Sequence, residues 1–157
     1  MLKGLNFYLG GNSSESVRQL EAFIQKTENN PLLYWQRSYA LEFISTLKHN
    51  AFDSRGAILA INQALEEYKY LGFPSELLAR IQYQKMQVLS TIENDKQEKL
   101  QLAFQLEQTA KAIKNDLYLG RAYNAIGVYY TMDGPQSERG KGAQYLGKAL
   151  TLAKKIN

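Results

Sequence analysis

The chain has no cysteine and a single histidine among its 157 residues. Without a thiol it can form no disulfide, no thiolate nucleophile and no cysteine-based metal site, and one imidazole alone makes no histidine metal centre. We expect His49 to lie solvated in a polar turn between Lys48 and Asn50. Carboxylate pairs offer little more, because adjacent helical residues such as Glu66 and Glu67 face apart. The sequence therefore predicts a protein that is not an enzyme and that uses no metal or cofactor.

Long apolar runs are also missing, so no segment is predicted to cross a membrane. Residues 1–14 lack the small-residue cleavage pattern of a secretory signal peptide, and a chain without cysteine suits the cytoplasm and the periplasm equally. Three prolines and eleven glycines are too few for a fibrous or disordered chain. The remaining composition, 45% apolar and 22% charged, is that of one ordinary folded domain.

The net charge of +4 is distributed unevenly. Residues 111–157 hold 8 basic and 3 acidic side chains, whereas residues 1–110 hold 11 basic and 12 acidic ones. Lys154 and Lys155 fall at the end of the last predicted helix, where cations complement the helix dipole. Because no nucleic-acid-binding motif accompanies this charge, we interpret it as a solvated helix face and expect no nucleic-acid partner.

Helix start and stop signals follow one another along the whole chain, and no segment alternates with the period of two that is typical of strands. Asn12 with Glu15 and Asp95 with Glu98 have the spacing of capping boxes, and Asp53 is a third candidate cap. Asn30-Pro31, Gly72 with Pro74 and Asp133-Gly134-Pro135 are predicted breaks. The predicted helices cover about 13–28, 32–47, 54–71, 75–92, 96–114, 121–130 and 137–156.

A seam of five positions at i, i+4, i+7, i+11 and i+14 recurs in every second helix. Its starting points lie 41, 42 and 43 residues apart. The four copies are Ser16, Leu20, Phe23, Thr27 and Asn30; Ala57, Ile61, Ala64, Tyr68 and Leu71; Lys99, Ala103, Leu106, Ala110 and Ile113; Gly142, Leu146, Ala149, Ala153 and Ile156.

Such regularity predicts an all-α fold in which antiparallel helical hairpins stack as an α-solenoid, because a hairpin that cannot bury its apolar face alone packs on its neighbours. The prediction is about 3.5 repeats, roughly seven helices, in a single repeat domain covering residues 1–157. A compact bundle of six or seven helices is the alternative. It would not require small residues to recur at the first and third seam positions of the second and fourth copies.

The segment at residues 121–130, RAYNAIGVYY, carries the strongest motif. Its spacing is aromatic-x-x-aliphatic-Gly-x-x-Tyr, in which bulky residues face a neighbouring helix and the glycine lets two backbones approach. The segment and the helix that follows it resemble a tetratricopeptide repeat. The matching residues are Tyr123, Ile126, Gly127 and Tyr130 in the first helix, and Gly142, Leu146 and Ala149 in the second.

The period of about 42 residues exceeds the usual 34 of this family. Long-period versions resemble the repeats of bacterial signalling proteins, such as sensor regions attached to diguanylate cyclases or histidine kinases. The resemblance implies a non-catalytic scaffold that binds a protein or a peptide. The alternative is an architectural module whose self-association brings attached effector domains together.

In such repeats the first helices line the concave surface, so the candidate binding residues are the outward-facing positions of residues 121–131. Asparagine suits pairing with an extended peptide backbone, because its amide both donates and accepts. Ala125 replaces a basic residue of the family's carboxylate clamp, so we do not expect that clamp. The candidates are Arg121, Asn124, Val128 and Thr131, with Arg37, Gln82 and Lys85 as further polar groups that could extend the groove.

Two further expectations concern apolar side chains. Most aromatic residues, including Tyr39, Phe43 and Tyr123, are expected in the core, since they follow helical spacing. The last helix stays apolar as far as Ile156 with no polar helix to cover it, although solenoids normally carry such a cap. We therefore expect either a piece of a longer protein or a homodimer that forms through this C-terminal helix.

Overall fold

The computed structural model describes residues 12–92 and 96–156, and within these ranges every regular element is helical. This confirms the prediction of an all-α fold with about seven helices. The predicted cap at Asp95 lies outside the described residues. The helices are α1 (Ser13–Thr27), α2 (Tyr34–Asn50), α3 (Ser54–Lys69), α4 (Glu76–Leu89), α5 (Lys96–Ala112), α6 (Asp116–Val128) and α7 (Arg139–Ile156).

Side-chain caps begin several of these helices. The side chains of Asn12 and Asp53 accept hydrogen bonds from the backbone N–H groups three residues further on, at 3.0 and 2.8 Å, as predicted. The Glu15 carboxylate does not complete a capping box, because it binds Arg18 and Gln19 instead. These bonds, that to Arg18 above all, lower the pKa of Glu15.

Two predicted boundaries are wrong. Helix α2 continues through Lys48 and His49 to Asn50, so His49 lies half-buried in its last turn rather than in a solvated turn. The chain turns only at Phe52, whose φ is +61°. Helix α6 begins at Asp116 and not at residue 121, because the Asn115 side chain accepts from the Tyr118 N–H at 3.2 Å.

The chain divides into two compact units, residues 1–73 and 74–157. The first contains α1, α2 and α3, with consecutive helices packed together. They are antiparallel, since Arg37 near the start of α2 contacts Thr27 at the end of α1 and Glu67 near the end of α3. The expectation of a single repeat domain stays a prediction.

The second unit contains α4 to α7, and again consecutive helices pack together and run antiparallel. Lys85 late in α4 pairs with Glu98 early in α5 at 2.7 Å, and Lys155 at the end of α7 pairs with Asp116 at the start of α6. Helices α4 and α6 are also in contact and lie side by side in the same direction. Residues Tyr129–Asp133 extend α6 by one π-helical turn.

The seam is largely buried in its first three copies, where Leu20, Ile61 and Ala103 at the second position have no exposed surface. In the fourth copy Gly142 is buried, whereas Ala153 and Ile156 are exposed. Burial of the seam against neighbouring helices is what the periodicity predicts, and the fourth copy departs from it.

The close approach predicted at Gly127 is confirmed. A Cβ atom there would lie 2.7 Å from Leu146 Cγ and 3.0 Å from the Leu146 backbone nitrogen. A Cβ on Gly142 would lie 3.0 Å from the Gly127 carbonyl oxygen. The two glycines face each other across α6 and α7, so these helices pack backbone to backbone.

Among the described helices, none is long and apolar enough to span a membrane.

Candidate functional site

The candidate site is the outward stripe of α6, where residues at i, i+3, i+4 and i+7 share one face. Asn124 is exposed at the centre of this stripe and lines two cavities of the second unit. Its side chain forms no hydrogen bond with any described residue. An asparagine amide that is free to donate and accept therefore stands where the two cavities meet.

The larger cavity, of about 450 Å³, lies over α6 between α4 and α7. Its lining is mainly apolar, with Met86 from α4 and Leu146, Ala149 and Leu150 from α7. The polar groups in it are few, and they come from α4 and α6. They are Tyr83, Gln87, Arg121 and Asn124.

The smaller cavity, of about 180 Å³, continues past Asn124 towards the π-helical turn. Lys96 and Lys99 of α5 line it together with Val128 and Asp133. Lys96 pairs with Asp133 at 2.6 Å, and this hydrogen bond raises the pKa of Lys96. Lys99 has no acidic partner among the described residues, so this end of the site is cationic.

Arg121 is held by aromatic rings. Its guanidinium carbon lies 4.2 Å from the centre of the Tyr83 ring and 5.3 Å from that of Tyr118. Such stacking fixes the guanidinium plane while leaving its N–H groups available. Within the described part of the chain, no carboxylate or carbonyl accepts a hydrogen bond from Arg121. The side chain is half-buried in the wall of the larger cavity.

The other two predicted residues lie in different places. Val128, with 39% of its surface exposed, lines the smaller cavity. Thr131 is exposed but lies against α7, since its backbone nitrogen would be 2.9 Å from a Cβ atom on Gly142. Its hydroxyl donates to the Gly127 carbonyl at 2.8 Å. The structure thus brings Arg121, Asn124 and Val128 together on one surface, and Thr131 stands apart from them.

The suggestion that three further polar residues extend the groove is wrong for two of them. Arg37 is buried in the first unit, and Gln82 is buried within the second. Lys85 is engaged by Glu98. The residues that do extend the cavities were not predicted. They are Met86, Gln87, Lys96 and Lys99, whose only sequence signal is their spacing on helices next to α6.

Aromatic residues of the second unit form a half-buried cluster on the side of α6 opposite the cavities. Tyr145 of α7 lies with its ring centre 5.7 Å from that of Tyr123 and 6.5 Å from those of Tyr130 and Phe104. Burial raises the pKa of Tyr145. None of the four rings is fully buried. The expectation that most aromatic residues lie in the core is wrong, because among the described residues only Tyr68 and Tyr118 are buried aromatic side chains.

The described residues contain no group of three or more histidine, cysteine, aspartate or glutamate side chains that could hold a metal ion. Comparisons with protein-family models, with curated proteins and with solved structures find no match for this chain.

Proposed function

We propose that this chain is a tetratricopeptide-like repeat module that binds a protein or peptide segment and has no catalytic activity of its own. The observation that carries the proposal is the position of Asn124, exposed and without a described hydrogen-bond partner between two cavities. Cavities with apolar walls and a few converging polar groups are typical of binding sites. Residues 121–153 resemble a tetratricopeptide repeat, and the period of about 42 residues along the chain resembles that of bacterial signalling proteins, which favours a sensory or interaction role.

An extended segment fits this surface chemically. The Asn124 amide can donate to a backbone carbonyl and accept from the next N–H, while the apolar wall formed by Met86, Ala149 and Leu150 receives a neighbouring side chain. Arg121 and Lys99 then favour segments of neutral or negative charge over basic ones.

The test begins with selection of binders from a random peptide library on the wild-type protein. Affinities of the selected peptides are then measured by fluorescence anisotropy for Asn124→Asp combined with Arg121→Glu. The matched control is Asn62→Asp combined with Arg55→Glu, two exposed α3 residues outside the cavities described above. We expect at least tenfold weaker binding by the first variant and unchanged binding by the control, since each lost hydrogen bond to a charged or rigid group contributes about 1 kcal/mol. Equal affinities for all three proteins would refute the assignment.

A second candidate function is architectural self-association through α7. It is favoured by two large apolar side chains on this helix, Leu150 with 57% and Ile156 with 49% of their surfaces exposed. Exposed apolar surface of this kind is often a protein-protein contact. Sedimentation velocity over a range of concentrations tests it, and a sedimentation coefficient independent of concentration would argue against it.

A further inference from the structure

The first unit contains a groove that the site on α6 does not explain. It has a volume of about 670 Å³ and lies between α1 and α3, with α2 beneath it. Leu41 and Ile44 of α2 and Ala60 of α3 are buried at its base. Leu59 on its rim has 62% of its surface exposed. Two helices flanking a third in this way form the kind of groove that accepts an amphipathic helix.

The rim of this groove is acidic. Four carboxylates line it against one lysine, Lys48. Glu67 is neutralised by the buried Arg37, and Glu21 and Glu66 pair with Lys48 and Lys69 at the surface. Glu28 has no described partner. Exposed ion pairs such as those of Glu21 and Glu66 contribute little and exchange readily, so these carboxylates remain open to another cation.

Helix α7 has the complementary character. Its sequence contains five basic residues and no acidic one. Its outward stripe is exposed along the whole helix and is cationic at both ends, with small and apolar residues between. The stripe consists of Arg139, Ala143, Gly147, Leu150 and Lys154.

The dimensions agree as well as the charges. At about 1.5 Å per residue, the stripe from Arg139 to Lys154 is about 22 Å long, and the α3 wall of the groove from Gly56 to Tyr70 is about 21 Å long. We propose that the groove of the first unit receives α7 of a second copy of this chain. The proposal rests on the candidate function of self-association through α7. In the proposed contact two different surfaces meet: Leu150 lies over the apolar base of the groove, and Arg139 and Lys154 lie against the carboxylates of its rim.

A contact between unlike surfaces has a distinctive consequence. A pair joined by one such contact retains one free groove and one free α7, so association continues into a longer chain or closes into a ring. A dimer formed by two α7 helices against each other would stop at two copies. Because the rim contacts are charged and exposed, association should also weaken several-fold between 50 mM and 500 mM salt.

The experiment uses two charge-reversal variants of the full chain. The groove variant carries Glu28→Lys and Glu66→Lys, and the helix variant carries Arg139→Glu and Lys154→Glu. By sedimentation velocity, we expect wild type to form species larger than a dimer and each variant alone to associate at least tenfold more weakly. An equimolar mixture of the two should again associate beyond a dimer, since both the native pair of surfaces and the charge-reversed pair then meet between the two variants.

Combining all four substitutions restores opposite charges and leaves the net charge of wild type. This variant should associate again to within about tenfold of wild type, which also shows that the variants are folded. If the groove variant associates as wild type does while the helix variant is monomeric, the groove contact is wrong and only association through α7 survives. A wild type that is monomeric at every concentration overturns both the contact and the self-association candidate, and leaves the peptide-binding proposal for α6 untouched.

Discussion

Helices α2 and α6 both carry the sequence Tyr-x-x-Arg near their first turn, as Tyr34–Arg37 and Tyr118–Arg121. In both, the guanidinium lies over the ring of that tyrosine, at 4.6 Å in α2 and 5.3 Å in α6. Arg37 has 1% of its surface exposed and is fully engaged. It donates twice to Glu67 and once each to the carbonyl oxygens of Thr27 and Asn30, over distances of 2.6 to 2.9 Å. Arg121 forms none of these bonds.

The difference shows that the Tyr-x-x-Arg sequence determines the stacking of the arginine on the tyrosine ring. It does not determine whether that arginine forms hydrogen bonds within the protein. Arg37 lies where α1 ends, so carbonyl groups without intrahelical partners are within its reach, and α3 supplies a carboxylate. Arg121 has an aromatic neighbour, Tyr83, in place of an acceptor. The donors of Arg37 hold the first unit together, whereas the donors of Arg121 remain available to a ligand.

Removal of each arginine should affect stability very differently in the two helices. Arg37→Ala should destabilise the protein by about 3–5 kcal/mol, because it leaves Glu67 without its buried partner and removes one donor each from the carbonyl groups of Thr27 and Asn30. Arg121→Ala loses only ring stacking and should cost about 1 kcal/mol or less. Urea denaturation followed by circular dichroism measures both.

The conservative variants serve as controls. Arg37→Lys keeps the charge but cannot reach three acceptors with one ammonium group, so it should still cost about 1–3 kcal/mol. Arg121→Lys should be close to neutral. Similar losses for the two alanine variants would mean that Arg121 is also structural.

Substitution of glycine tests the packed side of α6, opposite its open stripe. Gly127→Ala forces a Cβ against Leu146, including its backbone, and should destabilise the protein by about 1–3 kcal/mol. Gly147 of α7 is the matched control, because nothing lies within 4 Å of a Cβ placed there. Gly147→Ala should stabilise the protein by up to about 1 kcal/mol through helix propensity. Thermal unfolding of both variants gives the sign, and equal signs would contradict the backbone-to-backbone packing.

Much of the fold could be predicted because it depends on periodicity and on single-residue rules. The seam positions, the caps at Asn12 and Asp53, and the close approach at Gly127 each follow from spacing or residue type alone. The start of α6 at Asp116 was missed, although Asn115 offered the same capping chemistry as Asn30. Asn30 is followed by a proline, which indicated the start of a helix. Asn115 is not followed by a proline, so the start of α6 was not predicted.

Burial of polar residues could not be predicted in the same way. Arg37 and Gln82 have helical positions compatible with either a groove or a core, and only the neighbouring helices decide between them. The same holds for Lys96 and Lys99, which reach the site from another helix. Their contribution depends on tertiary contacts that no local pattern encodes.

Two fully buried serines differ in whether their hydroxyl groups form a hydrogen bond. The Ser16 hydroxyl donates to the Asn12 carbonyl at 2.8 Å, whereas the Ser38 hydroxyl of α2 has no hydrogen-bond partner among the described residues. Replacing either serine with alanine removes one buried hydroxyl, and the hydrogen bond of Ser16 is the main difference between the two variants. Ser38→Ala should be more stable than Ser16→Ala by about 1 kcal/mol. Denaturant midpoints of the two variants give this difference, and a zero difference would indicate that Ser38 is satisfied in solution.

The smallest change in stability is expected at the residue with the largest proposed role in binding. Asn124 forms no hydrogen bond with any described residue, so Asn124→Ala should alter the free energy of unfolding by less than about 0.5 kcal/mol. Asn62→Ala on α3 is the matched control for helix position and exposure. With a peptide selected on wild type, Asn124→Ala should bind about tenfold more weakly, as expected for the loss of one or two hydrogen bonds, while Asn62→Ala should bind normally. We therefore expect Asn124→Ala in α6 to lose binding without losing stability, whereas removal of Arg37 from α2 must lower stability. If Asn124→Ala lost as much stability as Arg37→Ala, Asn124 would instead stabilise the fold as Arg37 does.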